Sequence, residues 1–240
     1  MEYLNLSKID ANEINKEIKN RLSRGKNLTI TGTNSANNIC AGLCADAEII
    51  IDDSTGLYTA SYLENAKITV TGSVGWYAGD DMMSGELVVM KNAGCNVGAY
   101  ICGGGIVIRK NAGSRVGYGM KGGNIIVCGN VCRFAAQMAM GGRLIVLGGA
   151  GQEIGASMFG GAVFLRDSDA KNNLGANAEY GETTAEEREE IGLLFEKYEI
   201  AANPNELGVV RPKKTNRDAY KIFEPRLDFA GKKFKGGVAL

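Results

Sequence analysis

Residues 113 to 127 read GSRVGYGMKGGNIIV, and within them Gly117, Gly119 and Gly122 spell G-x-G-x-x-G. That spelling cradles a pyrophosphate in dinucleotide-binding folds, but only between a strand and the N-terminus of a helix. Here NIIV follows, a β-branched run that reads as a strand. A step of nineteen residues explains the glycines instead. Backwards from GYGMKGGNIIV at Gly117 lie GAYICGGGIVI at Gly98, GDDMMSGELVV at Gly79, ASYLENAKITV at Ala60 and AGLCADAEIII at Ala41. Forwards lie AQMAMGGRLIV at Ala136 and GASMFGGAVFL at Gly155, so the register holds for seven copies without insertion or deletion.

Each column of the repeat has one physical character. The first position is always glycine or alanine, and so is the position six further on, from Ala47 to Gly161. A corner glycine precedes each copy after the first at Gly56, Gly75, Gly94, Gly113 and Gly151, with Cys132 as the exception. Two aliphatic columns, Ile49 to Val163 and Ile51 to Leu165, are two residues apart and share one face of a strand. A third apolar column runs Cys44, Leu63, Met82, Ile101, Met120, Ala139, Met158. A short strand with small corners cannot bury its apolar face alone, but stacked copies can. The fold class is therefore all-β: a right-handed single-stranded β-helix of about seven nineteen-residue turns. At about 4.8 Å per turn the rod is roughly 33 Å long. Asn92, Asn111 and Asn130, with Ser54 and Ser73 before them, predict a polar ladder at one corner.

The ends differ from the repeat. IDANEINKEIKNRLSRG, residues 9 to 25, predicts a helix capped by Asp10 with Glu13, stapled by Ile9 and Ile14 and stopped by Gly25. Its Ile14, Ile18 and Leu22 form an apolar stripe suited to covering an open end of the solenoid. A second helix is expected in TTAEEREEIGLLFEKYEI, capped by Thr184 with Glu187, with Ile191, Leu194, Phe195 and Tyr198 along one side. From Asn203 the chain reads as a polar, irregular tail, either solvated or packed through Tyr220, Ile222, Phe223, Leu227 and Phe229. The organisation is thus 1–27, strand and capping helix; 28–173, repeat; 174–240, helix and extended tail.

One column does not suit an isolated rod. Between the two aliphatic columns, pointing outward, lie Ile50, Thr69, Val88, Val107, Ile126, Ile145 and Phe164, where alternation expects polar residues. The chain's own tail or another protein must cover it. Ile50, Val88, Val107, Ile126, Ile145 and Phe164 are read as the interface to a partner. On that reading Ile126→Asp weakens assembly and spares the fold, while inward Val127→Asp unfolds it.

The composition narrows the chemistry. Lys plus Arg and Asp plus Glu are both 27, so no global field draws the chain to nucleic acid or an anionic membrane. Histidine is absent, which removes Ser-His-Asp and Cys-His catalysis and His-ligated metal sites. The six cysteines fall in six different columns, which favours reduced apolar fillers over a metal ladder. Asp80 and Asp81 are adjacent, so alternation points them apart and argues against a carboxylate dyad. Arg109, Arg133, Arg143 and Arg166 read as a solvated outer face. MEYLNLSKIDANEIN lacks the order of a signal peptide, and a cytoplasmic protein is expected. No catalytic, cofactor or metal residue is assigned.

GWYAGDDMMSGELVV, GSRVGYGMKGGNIIV and GQEIGASMFGGAVFL resemble the G-x-x-G-x-x-x-G repeats of the C-terminal GXGXG β-helix domain of glutamate synthase large subunits. The resemblance spans about residues 32 to 170, and the acidic helix and basic tail look like the stand-alone, archaeal-type version. Cys132 at a glycine corner and the glycine-poor first two turns depart from it. What the resemblance implies is a non-catalytic structural subunit of a cytoplasmic hetero-oligomer that makes glutamate from glutamine and 2-oxoglutarate. Its partners would be the glutaminase and synthase subunits, with FMN and an iron–sulfur cluster on the latter and no cofactor on this chain. The β-helix subunit of formylmethanofuran dehydrogenase has similar repeats and is the alternative. A free-standing β-helix hydrolase is the third reading.

Overall fold

The chain is described by a computed structural model covering residues 2–25 and 27–213. It is a β-solenoid of about seven turns, built on one sheet. The repeat strands are β3 (Glu48–Ile51), β4 (Lys67–Val70), β5 (Glu86–Val89), β6 (Gly105–Ile108), β7 (Asn124–Val127), β8 (Met140–Val146) and β9 (Gly160–Leu165). Below them come β1 (Glu2–Asn5) and β2 (Asn27–Thr31), above them β10 (Ala178–Glu182) and β11 (Gly208–Pro212). The sheet order is β1 to β9 in sequence, then β11, then β10. Leu87 pairs with Ile106, Ile106 with Ile125 and Ile125 with Leu144, all parallel and nineteen apart. One register shift, between Met140 and Arg143, interrupts the step from β8 to β9. A second short ladder joins Val74, Ala93, Ala112, Val131 and Ala150.

Like residues stacked on like fill the interior. Ile49, Ile68, Leu87, Ile106, Ile125, Leu144 and Val163 are at most 1% exposed. In the third apolar column Leu63, Met82, Ile101, Met120, Ala139 and Met158 are buried, but Cys44 is exposed and Leu43 takes its place. The cause is a slip of one residue in the first coil, where Cys44 bridges to Glu64, twenty residues on. The serine and asparagine column does form a ladder, by backbone bonds. Asn111 N–H donates to Asn92 Oδ1 at 3.2 Å, Asn130 N–H to Asn111 Oδ1 at 2.8 Å and Gly149 N–H to Asn130 Oδ1 at 2.7 Å. Each side chain satisfies a corner N–H of the next coil that no strand reaches. The corner glycines are places of close approach: a Cβ on Gly94 would lie 2.8 Å from the Gly75 carbonyl carbon.

The third side of each coil is unlike a strand. Left-handed φ values recur at alternate residues: Tyr58, Ala60 and Tyr62 in one coil, Tyr77, Gly79 and Asp81 in the next, Asn96, Gly98 and Tyr100 above that. Their N–H groups bond alternately to the coil above and the coil below. Tyr77 donates to the Cys95 carbonyl at 3.0 Å, Gly79 to that of Thr59 at 2.9 Å and Asp81 to that of Ala99 at 2.8 Å. A non-glycine residue pays about 1 kcal/mol for this conformation. The ladder holds it by giving each of those donors a partner inside the protein.

The ends correct the sequence reading in two places. Helix α1 spans Ile14–Leu22, not 9–25. Asp10 instead closes a turn, its Oδ1 accepting from Asn12 N–H at 2.9 Å, and Glu13 pairs with Lys16 and makes no capping box. The stripe is as expected, with Ile14 and Ile18 buried and Leu22 packed against the core. Helix α2 (Ala185–Lys197) has the expected capping box between Thr184 and Glu187. The chain after Asn203 is not wholly irregular: β11 pairs antiparallel with β9 and β10, burying Val209 and Val210 over the last coil. Tyr220, Ile222, Phe223, Leu227 and Phe229 lie outside the described residues. No helix among the described residues is long and apolar enough to cross a membrane.

Candidate functional site

The outward apolar column is not an open surface. Val107, Ile126, Ile145 and Phe164 are at most 1% exposed, Val88 is 8% exposed and only Ile50 is half-buried. All but Ile50 form a second core with Ile191, Phe195 and Tyr198 of α2 and with Leu207 and Val209. From Val88 to Phe164 the interface read from the sequence is therefore filled by the chain itself, since two apolar stripes far apart in sequence bury each other.

Polar contacts fix α2 along its length. Lys197 pairs with Glu86 at 2.5 Å, Arg143 with Glu190 and Arg211 with Glu187. Arg109 donates to the Tyr198 carbonyl at 2.6 Å, a cation at the helix C-terminus where the dipole favours it. Arg109 and Arg143 are thus clamps on the helix, not members of a solvated face. A cleft of about 500 Å³ opens beside the start of α2, between Gly123, Gly142, Gly161, Arg143, Arg211 and Glu187. Both of its arginines are already neutralised by glutamates of α2, which leaves little pull on an anion.

The left-handed side carries the exposed apolar groups. Among the described residues, all the exposed large apolar side chains but Tyr3, Met90 and Leu193 lie on it. They form two groups. At the corner beside Gly56 and Gly75 sit Leu57, Tyr58, Trp76 and Tyr77, with the two tyrosine rings stacked at 4.9 Å and Trp76 54% exposed. Along the other margin runs a strip of Tyr62, Met83, Tyr100, Met138, Met140 and Phe159. Between the two, small buried residues such as Ser61 and Ala99 make a floor.

Asp80 lies in that floor, 8% exposed, and its Oδ1 is buried with no hydrogen-bond partner among the described residues. Burial, helped by the charge of Asp81, pushes its carboxyl up to about 6. The two aspartates therefore do act on each other: left-handed Asp81 breaks the alternation that was expected to point them apart. Asp81 also faces Lys121 at 3.9 Å, and Lys121 sits 5.5 Å over the Tyr100 ring. A hydrogen bond with Tyr118, then burial, raises the Tyr100 hydroxyl to about 12. Higher up, Arg115 and Arg133 lie over Phe134. The side offers aromatic faces, thioethers and a carboxyl of raised pKa, which are groups for recognition.

A raised carboxyl pKa means that the folded state binds the proton more tightly than the unfolded chain. The charge costs nothing below about pH 4, costs more as pH rises to about 6, and costs its full amount above that. Asp80→Asn should therefore stabilise the protein by about 2 kcal/mol at pH 8 and hardly at all at pH 4. Urea unfolding at both values checks this, and an equal gain at both would show that Asp80 does not titrate as described.

All six cysteines are free thiols, and only Cys40 is buried; its burial raises the thiol to about 12. Cys128 is also a filler in part, packed against the second core, whereas Cys44 and Cys132 are exposed. Cys102 lies on the apolar strip, and Cys128, half-buried near Arg109 and α2, is also raised by burial. Among the described residues no group of three or more His, Cys, Asp or Glu could hold a metal ion. The left-handed ladder was not found from the sequence, and its only trace there is the glycine or alanine in its middle column. No protein-family model matches the chain, and no curated protein matches it.

Proposed function

We propose that this chain is a non-catalytic assembly subunit of a glutamate synthase, organising glutaminase and FMN/iron–sulfur synthase subunits in the cytoplasm. The observation that carries an assembly role is the Trp76 corner: stacked Tyr58 and Tyr77 with an exposed tryptophan and Leu57, on a backbone held by two ladders. Rigid aromatic anchors of this kind supply most of the affinity of protein interfaces. The glutamate synthase assignment rests on the resemblance of the repeats. Affinity purification of the tagged full chain from its native host, with identification of co-eluting chains, tests it. Partners bearing a flavin and an iron–sulfur cluster support the reading. A molybdenum or tungsten partner replaces it with formylmethanofuran dehydrogenase, and a chain that elutes alone and active replaces it with a hydrolase. Trp76→Ala should lower partner affinity by about thirtyfold, the effect of losing a hot spot of about 2 kcal/mol. Unchanged partner recovery from that variant removes the corner from the interface.

A further inference from the structure

Asp80 is a buried carboxylate to which the described residues bring no cation. It stands 8% exposed between Ser61 of the coil below and Ala99 of the coil above. Backbone bonds hold that stack: Tyr62 N–H donates to the Asp80 carbonyl at 2.8 Å, and Asp81 N–H to the Ala99 carbonyl at 2.8 Å. Ser61 and Ala99 are short and buried, so Asp80 lies at the bottom of a groove. One rim of the groove is the stacked pair Tyr58 and Tyr77, and the other carries Tyr62 below Asp81 and Tyr100 above it. Tyr118 stands at the upper end, its ring edge-on to Tyr100 at 5.2 Å. Lys121 serves Asp81, at 3.9 Å, and not Asp80.

The setting of this carboxylate selects its ligand. Oδ1 is wholly buried and has no hydrogen-bond partner among the described residues, so a cation meets Asp80 through Oδ2 alone. A guanidinium binds best by two parallel bonds to both oxygens, which this arrangement denies it. A divalent metal ion asks for more oxygen ligands than one open carboxylate oxygen. A primary ammonium is a compact charge that one oxygen can hold, and it gains from aromatic faces around it. We propose that this groove binds a primary alkylammonium group, seated on Asp80 between the Tyr58–Tyr77 pair and Tyr62 and Tyr100. The group comes from a free alkylamine or from a lysine side chain of another protein, and its alkyl stem lies along the tyrosine faces. The proposal goes beyond the assembly reading, since it needs neither Trp76 nor a glutamate synthase partner.

The probe is n-pentylammonium, titrated into the full chain at about pH 8, where Asp80 is ionised, with affinity read by ligand-observed NMR. Saturable binding is expected with a Kd of about a millimolar, the scale for a ligand of so few atoms. The uncharged n-pentanol should bind at least about tenfold more weakly to the natural chain, and n-pentylammonium should lose about as much on Asp80→Asn. Trp76→Ala should keep the affinity of the natural chain, so a failure of the assembly reading leaves this result standing. The peptide N-acetyl-Gly-Lys-Gly-amide separates the two sources, and either result upholds the site. Binding as tight as that of n-pentylammonium assigns it to a lysine of another protein, and binding about tenfold weaker assigns it to a free amine. The proposal is overturned by the absence of saturable binding, by n-pentanol binding equally well, or by an unchanged affinity in Asp80→Asn. A loss in Trp76→Ala as large as that in Asp80→Asn also overturns it, because the amine would then sit at the corner and not in the groove.

Discussion

Val127→Asp is expected to unfold the solenoid, and Ile126→Asp, one residue earlier, to release α2 while the coils stay wound. Both residues are fully buried, so burial alone does not distinguish them. What they are buried in does. Val127 lies in the main core between Ile108 of the coil below and Val146 of the coil above. A carboxylate there reaches water only if neighbouring coils separate, and each coil depends on its neighbours. The cost exceeds about 4 kcal/mol, the range reserved for an uncompensated buried charge. Ile126 lies in the second core, against Val107 and Ile145 and beneath Ile191 and Phe195 of α2. An aspartate at 126 is hydrated once the helix lifts away, so the loss is confined to the docking of residues 185–198 and the chain around them. Hydrogen exchange reads the difference: in Ile126→Asp the amides of α2 lose protection and those of β5 to β7 keep theirs, whereas Val127→Asp loses both. If Ile126→Asp also unwinds the coils, the solenoid is not stable without its helix. If α2 stays protected, the helix is not held by this column.

The stack was legible because nineteen-residue spacing puts chemically alike residues over one another, and stacking is what the columns are for. Leu87, Ile106 and Ile125 announce the core, and Asn92, Asn111 and Asn130 announce a corner. The left-handed ladder was not legible. Its outer positions hold Tyr77, Asn96, Arg115 and Phe134, which share no property, because hydrogen bonding between coils fixes the backbone there and leaves the side chain free. The apolar outward column showed that something covers it, and the stripe of α2 showed that it covers something. Nothing local joined the two, since Ile126 and Ile191 meet only through the tertiary fold. Helix α1 was placed too early for a smaller reason: Asp10 takes part in a turn that precedes a cap-free helix, and Glu13 finds Lys16 instead of reaching back. The candidate surface followed the same division. Asp80, Asp81 and Trp76 could be seen as residues, but their grouping on one side depends on the handedness alternation that the sequence does not display.

Gly104→Ala should cost about 3 kcal/mol and Gly104→Val about 4 or more, a large share of the stability of a single domain. Two effects add. Gly104 has φ +80°, where a side chain brings about 1–2 kcal/mol of strain. A Cβ would also stand 2.5 Å from the Gly85 carbonyl oxygen and 2.9 Å from Met82 Cε. The methionine can swing aside, but the oxygen cannot, because it accepts from Gly105 N–H at 3.0 Å and holds the two coils in register. Moving it would break the ladder at the entry to β6. Ala47 and Ala66 stand in the same column of the first two coils without left-handed φ, so those coils turn differently and tolerate the methyl group. Gly181 in β10 has nothing within 4 Å of a built Cβ and no left-handed φ, and Gly181→Ala should be close to neutral. At about 2–4 °C per kcal/mol for a chain of this size, Gly104→Ala should lower the melting temperature by about 6–12 °C. Melting within about a degree of Gly181→Ala would show that the coils have room to part at that corner, and that the recurrence of glycine there has another cause.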